Sequence, residues 1–315
     1  MSSPQRVAVL KGGQSLEREV SLRSAANVEA ALRRLGHQVI SVDADSSLVR
    51  TLRTERPDVV FVAIHGKGGE DGTVQEILEI LNIPYTGSGV LACVRSMDKV
   101  VTKAIFTDAG IPTPPACAFG EDAFRELGAA DALGEVQLRL GLPLVVKPAK
   151  QGSAIGITIA RSPEDVPRGI MSALSYDNHV MLEQFIPGRE IAVSVIGTAD
   201  PVALPAVEAV FSGDFYDFES RYTPGMTELV APADLSDALA AEVSRVALQC
   251  YQVMGFRGFG RIDMIIDADD QVWVLEINPI PGMTDTSLLP KAAQAAGLSF
   301  DDVIERVLGE AALGI

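Results

Sequence analysis

The stretch Gly258–Thr284 has the sequence GFGRIDMIIDADDQVWVLEINPIPGMT. Two segments within it, Arg261–Ile266 and Val272–Ile277, are rich in β-branched residues, which favour strands. The acidic cluster between the segments is typical of a turn. The stretch therefore predicts two strands joined by a short connection, and a Pro-Gly turn follows the second strand.

Four polar residues of this predicted hairpin carry its chemistry. Side chains alternate between the two faces of a strand, so Arg261 shares a face with Asp263, and Glu276 with Asn278. If the hairpin brings those faces together, two carboxylates and an amide oxygen converge. Such carboxylates repel each other unless a cation joins them, and an all-oxygen set suits Mg²⁺. The alternative is that Asp263 and Glu276 are solvated residues of a half-exposed hairpin.

Length and charge limit the classes of function. A chain of 315 residues can bury a large core and is expected to divide into two or three domains. Hydrophobic residues make up 47% of the chain, which excludes a disordered protein. The net charge of −16 argues against a nucleic-acid partner. A polyphosphate ligand would meet the same repulsion, so it would need metal ions and local cations.

The cysteines and the apolar segments indicate the cellular compartment of the protein. Cys93, Cys117 and Cys250 are odd in number, widely spaced and outside any metal pattern, so we expect reduced structural thiols. The N-terminus shows no signal-peptide h-region, and apolar runs such as Val59–Ile64 are too short to span a bilayer. The sequence therefore predicts a cytoplasmic protein without a membrane partner.

The first third of the chain alternates strands and helices, which predicts an α/β domain with a doubly wound parallel sheet. The predicted strands are Val7–Leu10, Gln38–Val42 and Val59–Ile64, with a helix near Ser21–Leu35. Ligands of such sheets bind beyond the carboxyl ends of the strands. Two polar clusters are expected there, namely Gly12–Ser21 and His65–Gly72.

Further elements follow in the last third. Glu190–Ile196 and Ala203–Val207 are predicted strands, and Phe215–Tyr222 is predicted to be an ordered loop. An amphipathic helix is predicted over Ser236–Met254, with Ser236 as its N-cap.

Several motifs together resemble a known family. Gly-Gly-x-Ser-x-Glu-Arg-Glu-Val-Ser at 12–21 and His-Gly-x-x-Gly-Glu-Asp-Gly at 65–72 are similar to the D-alanine–D-alanine ligase branch of the ATP-grasp enzymes. Arg-x-Asp at 261–263 and Glu-x-Asn-Pro-x-Pro-Gly at 276–282 resemble the metal-binding core of that superfamily. The motifs follow one another in the same order as in the family, over nearly the whole chain.

The resemblance implies an ATP-grasp fold, in which the parallel-sheet domain is followed by two α+β subdomains that sandwich ATP. We place the substrate-binding domain at residues 1–98, the central subdomain at 99–187 and the C-terminal subdomain at 188–315. The last of these carries the metal and second-substrate sites. A homodimer is the expected assembly.

The implied reaction joins two D-alanine molecules for peptidoglycan precursor synthesis. ATP phosphorylates the first D-alanine carboxylate, and the amine of the second attacks the resulting acyl phosphate. The resemblance implies two Mg²⁺, replaceable by Mn²⁺, on Asp263, Glu276 and Asn278. It further implies that Arg261 and the Gly282 N–H hold the developing oxyanion.

Other positions are implied to bind the amino acids. The residue matching Glu17 receives the ammonium of the first D-alanine, for which a carboxylate is the natural partner. His65 lies beside it, and Tyr222 closes the pocket by hydrogen bonding toward Ser153 and Glu17. Ser287 holds the carboxylate of the second D-alanine. Arg221 contacts phosphate in place of the lysine that is common there.

The central segment is implied to bind ATP. Lys147 follows a short apolar strand, and Lys99 lies at a predicted helix start. Gly152 and Gly156 belong to a loop that can lay N–H groups against phosphates, although a bare glycine loop is more often only a hairpin turn. The resemblance implies that both lysines contact phosphates and that the loop closes over them. The positions implied to line adenine and ribose are Glu183, Gln184, Ile186 and Glu190.

Two alternatives remain open from the sequence. One is a sister ligase that joins D-alanine to D-lactate, D-serine or another amino acid. Tyr222 and its polar–aromatic loop favour D-alanine. The other is a non-catalytic nucleotide-binding module, which the retained acidic and basic positions argue against.

Overall fold

The computed structural model describes residues 3–211 and 227–314. Its first sheet is parallel, with the strand order β2-β1-β3, as the alternating pattern predicted. Strand β3 ends at Val62 rather than Ile64, and the first helix begins at Arg18, three residues before the expected start. The elements of this segment are β1 (Arg6–Lys11), α1 (Arg18–Arg34), β2 (Gln38–Asp43), α2 (Leu48–Glu55), β3 (Val59–Val62), α3 (Thr73–Leu81), α4 (Val90–Met97) and α5 (Lys99–Asp108).

A second, antiparallel sheet occupies the central segment, with the order β4-β7-β5-β6. Helices pack against it around a small core that includes Val146, Ile170 and Leu182. The elements are β4 (Ala116–Gly120), α6 (Glu121–Glu126), a 3₁₀ turn (Ala129–Ala132), α7 (Leu133–Leu140), β5 (Leu144–Pro148), β6 (Thr158–Ala160), α8 (Asp165–Leu174) and β7 (His179–Gln184).

The third sheet is also antiparallel, with the order β11-β10-β8-β12-β13 and β9 paired to β8. Its elements are β8 (Arg189–Ile196), β9 (Val202–Ala203), β10 (Val207–Phe211), β11 (Thr227–Val230), α9 (Asp237–Val253), β12 (Phe259–Ile266), β13 (Val272–Asn278), α10 (Leu288–Ala295) and α11 (Phe300–Gly309).

Two predictions for this segment have different outcomes. The single strand predicted over Ala203–Val207 is wrong, because the chain leaves the sheet between β9 and β10. Pro205 lies in that gap and has no N–H for a strand ladder, which explains the break. The predicted helix is confirmed as α9, since the Ser236 hydroxyl accepts a hydrogen bond from Leu239 N and caps it. The predicted loop Phe215–Tyr222 lies outside the described residues.

The last helices return to the first sheet. Leu289 of α10 and Val303 of α11 are buried in the same core as Val9 and Phe61 of the parallel sheet. The connection from β13 to α10 therefore passes close to the first sheet. Each sheet draws its strands from one of the three predicted domain ranges, and the domain boundaries themselves stay predictions. Among the described residues, no helix is both long and apolar enough to cross a bilayer.

Candidate functional site

The β12–β13 hairpin brings its polar residues onto one face. Arg261 is paired with Asn278 and Asp263 with Glu276, and the register shifts at a bulge directly after Asp263. Side chains that lie directly opposite in an antiparallel pair have Cβ atoms about 5 Å apart. The structure therefore brings the two carboxylates together, as the alternation of residues predicted, and the solvated-hairpin alternative does not describe these half-buried side chains.

Each carboxylate of this pair binds a cation. Arg261 donates two hydrogen bonds to Asp263, from Nε at 2.6 Å and Nη2 at 2.7 Å. Lys99 Nζ lies 3.1 Å from Glu276 Oε2 and donates to the Gln151 carbonyl at 2.7 Å. Two positive charges thus offset the repulsion between the opposed carboxylates.

The metal-ligating potential of the site rests on three side chains. Within residues 3–211 and 227–314, no cluster of three or more His, Cys, Asp or Glu is placed to hold a metal. The hairpin side chains that could hold a cation are Asp263, Glu276 and the Asn278 amide, with other oxygens completing its shell. Asn278 Oδ1 accepts a hydrogen bond from Ile280 N at 2.9 Å, which fixes the amide at the start of the following turn.

A deep cleft lies between the second and third sheets. The space within it, including the part that is open to solvent, is about 940 Å³. Apolar side chains from both sheets form its walls, among them Val145, Ile159 and Met264. The predicted ligand residues that line it are Lys99, Lys147, Glu183, Gln184, Ile186, Glu190, Asp263 and Glu276. The cleft has the size and the apolar character of a small-molecule site, with charges concentrated on part of its wall.

Glu183 lines this cleft and binds two lysines. Its carboxylate is 2.5 Å from Lys147 Nζ and 2.5 Å from Lys103 Nζ, and all three side chains are buried. Burial alone would raise the pKa of Glu183, but the two ammonium groups outweigh it and hold the pKa below its ordinary value. Burial, together with the charge of Lys147, lowers the pKa of Lys103 to about 8 against the opposing effect of Glu183.

Lys103 is not among the site residues predicted from the sequence. It lies four residues after Lys99 on α5, so both side chains leave the same face of that helix. Its ammonium also donates to Thr113 Oγ1 at 2.6 Å and to the Pro114 carbonyl at 2.9 Å. The spacing of the two lysines was the available signal, although the sequence contains no indication that Glu183 is their common neighbour.

The glycine loop between β5 and β6 has an unusual backbone. Ser153 and Ala154 have φ values of 52° and 57°, in the left-handed region that L-residues rarely adopt. A Cβ atom on Gly152 would lie 3.1 Å from Glu17 Oε2, and one on Gly156 would lie 2.7 Å from the Tyr176 ring. Gly156, with a φ of 77°, is therefore required by its close contacts, whereas a side chain at Gly152 would crowd the Glu17 carboxylate. The strained conformation of the loop is typical of a functional site.

A second, more polar cavity adjoins the first and shares Lys99 and Glu276 with it. The Ser153 hydroxyl donates a hydrogen bond to the buried Glu17 carboxylate at one side of the cavity. The predicted residues that line it are Glu17, His65, Lys99, Gly152, Ser153, Arg261, Glu276, Asn278 and Gly282. The structure thus brings the predicted first-substrate residues next to the charged part of the cleft.

Ser287 lies at the start of α10, next to Gly282. The Ser287 hydroxyl accepts a hydrogen bond from Thr284 N at 3.0 Å and lies 2.8 Å from Thr284 Oγ1. A Cβ atom on Gly282 would lie 2.6 Å from Ser287 Oγ, so the turn requires glycine there. Ser287 is the N-cap residue of α10, whose first N–H groups can hold an anion. Arg221 and Tyr222 lie outside the described residues, so their roles stay predictions.

Two family models match the chain. The model described as "D-ala D-ala ligase C-terminus" matches residues 105–309, and the one described as "D-ala D-ala ligase N-terminus" matches residues 48–88. A D-alanine–D-alanine ligase of Carboxydothermus hydrogenoformans is 43% identical over 304 residues, which cover 96% of this chain and 97% of the relative.

Solved structures agree with these matches. The D-alanine–D-alanine ligase of Bacillus anthracis complexed with ATP has a TM-score of 0.82 at 29% identity, covering 97% of both chains. The VanG D-Ala:D-Ser ligase of Enterococcus faecalis has a TM-score of 0.84 at 27% identity, covering 98% of this chain and 99% of its own. Ligases with different second substrates therefore share this fold, which confirms the ATP-grasp prediction.

Proposed function

The chain belongs to the D-alanine–D-alanine ligase family, and we propose that it joins two D-alanine molecules at the expense of ATP. The observation that carries this proposal is the pair of adjoining cavities that share Lys99 and Glu276. The cleft between the second and third sheets has mainly apolar walls, which suit the adenine of a nucleotide. The adjoining cavity has mainly polar walls, which suit the charged groups of amino acids. Their common wall is where a phosphoryl group would pass from ATP to a carboxylate.

ATP occupies the cleft between the second and third sheets. The apolar walls take the adenine, Glu190 takes the ribose hydroxyls, and the triphosphate extends toward Lys99. Lys147 is held at the cleft wall by Glu183, so its ammonium is oriented before the nucleotide arrives. The loop that contains Gly152 closes over the phosphates. Positioning and charge stabilisation of this kind supply most of the catalysis in phosphoryl transfer.

The hairpin carboxylates hold the divalent ions. Asp263, Glu276 and Asn278 offer only oxygen donors, which fits Mg²⁺, and Mn²⁺ accepts the same ligands. Two ions, once bound, would neutralise charge on the polyphosphate. The opposed carboxylates support this assignment, because with the Asn278 amide they place an all-oxygen donor set on one face of the hairpin.

The first D-alanine lies in the polar cavity with its ammonium on Glu17. Its carboxylate oxygen attacks the γ-phosphorus of ATP, the bond to ADP breaks, and an acyl phosphate forms. The amine of the second D-alanine then attacks the carbonyl carbon, phosphate leaves, and the nitrogen loses a proton. Arg261 and the Gly282 N–H stabilise the oxyanion of the tetrahedral intermediate. Ser287 and the N-terminus of α10 bind the carboxylate of the second D-alanine.

The function is tested by coupled ADP release. We expect release with D-alanine and Mg²⁺, none with L-alanine, and loss of activity on chelation of the metal. Mass spectrometry of the product separates D-alanyl-D-alanine from the depsipeptide or mixed dipeptide formed with D-lactate or D-serine. A folded enzyme without D-alanine-dependent ADP release would contradict the proposal, and a clear preference for D-serine or D-lactate would favour the sister ligase.

The remaining family expectations belong to the same proposal. A homodimer in the cytoplasm, supplying peptidoglycan precursors, is consistent with the family and with the acidic composition of the chain. Light scattering of the purified protein tests the dimer. A mass of about 33.4 kDa would contradict it.

A further inference from the structure

Ser24 lies between His65, which lines the polar cavity, and the turn that follows Gly282. It belongs to α1 and is completely buried. Its hydroxyl oxygen is 3.0 Å from His65 Nε2, on the side of the first-substrate cavity. The same oxygen accepts a hydrogen bond from Met283 N at 3.1 Å, on the side of the turn that follows Gly282. One small hydroxyl group therefore contacts both parts of the site.

Both contacts of the Ser24 hydroxyl can form at the same time. The Met283 N–H can only donate, so the Ser24 oxygen accepts there, and its remaining hydrogen-bonding capacity is available to His65 Nε2. On the far side of the ring, His65 Nδ1 lies 3.5 Å from Glu70 Oε1.

Asn27 strengthens the link between α1 and the turn. It lies three residues after Ser24, on the same face of α1, and is half-buried. Its Nδ2 donates to the Met283 carbonyl at 3.0 Å and lies 3.4 Å from Asp285 Oδ1. Ser24 and Asn27 thus hold the N–H and the C=O of the same residue. The turn they fasten connects Gly282 to Ser287, the two groups assigned to the oxyanion and the second carboxylate.

We propose that Ser24, assisted by Asn27, is a positioning residue that places the second substrate against the acyl phosphate formed in the first pocket. The inference rests on the proposed ligase function. Helix α1 begins directly after Glu17, so one rigid element sets the position of the first ammonium and of the Met283 turn. Misplacement of reacting groups by about 1 Å can cost on the order of a hundredfold in rate.

Loss of the hydrogen bonds that join Ser24 and Asn27 to Met283 has a specific chemical consequence. When the second amine is misplaced, water competes with it for the acyl phosphate. The water oxygen attacks the carbonyl carbon, the bond from that carbon to the phosphate oxygen breaks, and phosphate and D-alanine are released. ATP is then consumed without dipeptide formation, so the ratio of phosphate released to dipeptide formed rises above one.

The test is this ratio in Ser24→Ala, measured by phosphate release and by quantification of the dipeptide. We expect it to rise to about two or more, and the KM for the second D-alanine to rise about tenfold. The KM for ATP should change less than twofold, because the nucleotide cleft lies on the other side of the shared wall. Destabilisation of the fold alone would lower every rate and leave the ratio at one.

Ser21→Ala is the matched control. Ser21 is also buried on α1, but its hydroxyl donates to the Ala63 carbonyl at 2.7 Å and accepts from Gly12 N at 2.8 Å. Its removal should leave the ratio at one. Asn27→Ala gives a second variant in case Ser24→Ala does not fold, and it should raise the ratio while leaving the His65 contact intact.

The possible outcomes separate the two proposals. Wild-type enzyme without D-alanine-dependent ADP release refutes the proposed function. Active wild-type enzyme, with a ratio of one in both Ser24→Ala and Asn27→Ala, refutes only the positioning role. An equal rise in Ser21→Ala would also refute it, because the effect would then belong to α1 as a whole.

Discussion

Asp263 and Glu276 lie directly opposite each other in neighbouring antiparallel strands, and each carboxylate binds a different cation. Arg261 belongs to the same strand as Asp263, whereas Lys99 comes from α5, at the start of the central segment. The opposed pair is therefore neutralised by two separate parts of the chain. On the proposed function, a metal-bound polyphosphate would exchange these ion pairs for contacts with the ligand.

The first prediction concerns these carboxylates. Asp263→Asn or Glu276→Gln should abolish ADP release, because each change removes one anionic donor from a site that has only two. The fold should survive with some loss of stability, since each amide has the shape of the carboxylate it replaces and its oxygen can still accept a hydrogen bond from Arg261 or Lys99. Activity assays with Mg²⁺ and Mn²⁺, together with thermal melts, check both expectations.

Asp269→Asn is the matched control for this prediction. Asp269 is an exposed residue in the turn of the same hairpin, and it faces solvent rather than the cleft. The control variant should keep wild-type activity. Normal turnover in a folded Asp263→Asn enzyme would defeat the metal assignment.

The second prediction follows from the buried ammonium of Lys103. Its pKa is about 8 in the folded protein and 10.5 for the ordinary side chain. Between these pH values the unfolded chain binds more protons than the folded one, so the free energy of unfolding rises with pH. We expect a gain of about 1 to 3 kcal/mol from pH 8 to pH 10 that is absent in Lys103→Met. Urea melts across this range measure the difference.

Lys150→Met controls for the loss of a lysine as such. Lys150 is exposed, and its ammonium lies 3.2 Å from Asp98 at the surface. In Lys150→Met, the free energy of unfolding should depend on pH as it does in the wild type. If the free energy of unfolding changed with pH in the same way in the wild type and in Lys103→Met, the buried lysine would not titrate in this range.

The third prediction concerns the thiols. Cys93 and Cys250 are buried, and burial raises the pKa of both thiols, that of Cys250 to about 12. Thiolates are the reactive species, so neither should react with a thiol reagent in the folded protein. Cys117 is half-buried and should react slowly. Titration should therefore find one thiol under native conditions and three in denaturant, and rapid reaction of all three in the native state would contradict the assigned packing.

The hairpin shows what the sequence makes predictable. Its period of two placed Arg261 on one face with Asp263, and Glu276 on one face with Asn278. That the hairpin would bring these faces together was only a condition of the prediction, and the observed register meets it. The helix start at Lys99 was also predictable, because Asp98 is a strong N-cap residue, whereas the ligand role of Lys99 was implied by the family resemblance. These features depend on local rules, which act over a few residues.

Contacts between distant segments were not predictable in the same way. Ser24 and Met283 are separated by 259 positions, and no local pattern indicates that they meet. Lys103 and Glu183 meet because helix α5 packs beside the second sheet, which is a tertiary fact. The predicted strand at Ala203–Val207 failed for a local reason that the sequence did contain, since Pro205 interrupts it.

The fourth prediction separates the two properties of Ser153. Its hydroxyl donates to Glu17, and its backbone has the left-handed φ of 52°. Ser153→Ala removes only the hydroxyl, whereas Ser153→Gly removes the hydroxyl and also relieves the backbone strain. Both variants should lose about tenfold or more in kcat/KM for D-alanine, because Glu17 loses the donor that orients it toward the substrate ammonium. Ser153→Gly should be more stable than Ser153→Ala by about 0.5 to 1 kcal/mol.

Comparison of the two variants by thermal melt and by initial rates gives the result directly. If the glycine variant recovered wild-type kcat/KM, the conformation of the loop and not the hydroxyl contact would be what the active site requires. If the alanine variant were the more stable of the two, the left-handed backbone at this position would carry no strain. Loss of activity in both, with greater stability in the glycine variant, is the combination expected from a loop that is strained in order to bring a hydroxyl to Glu17.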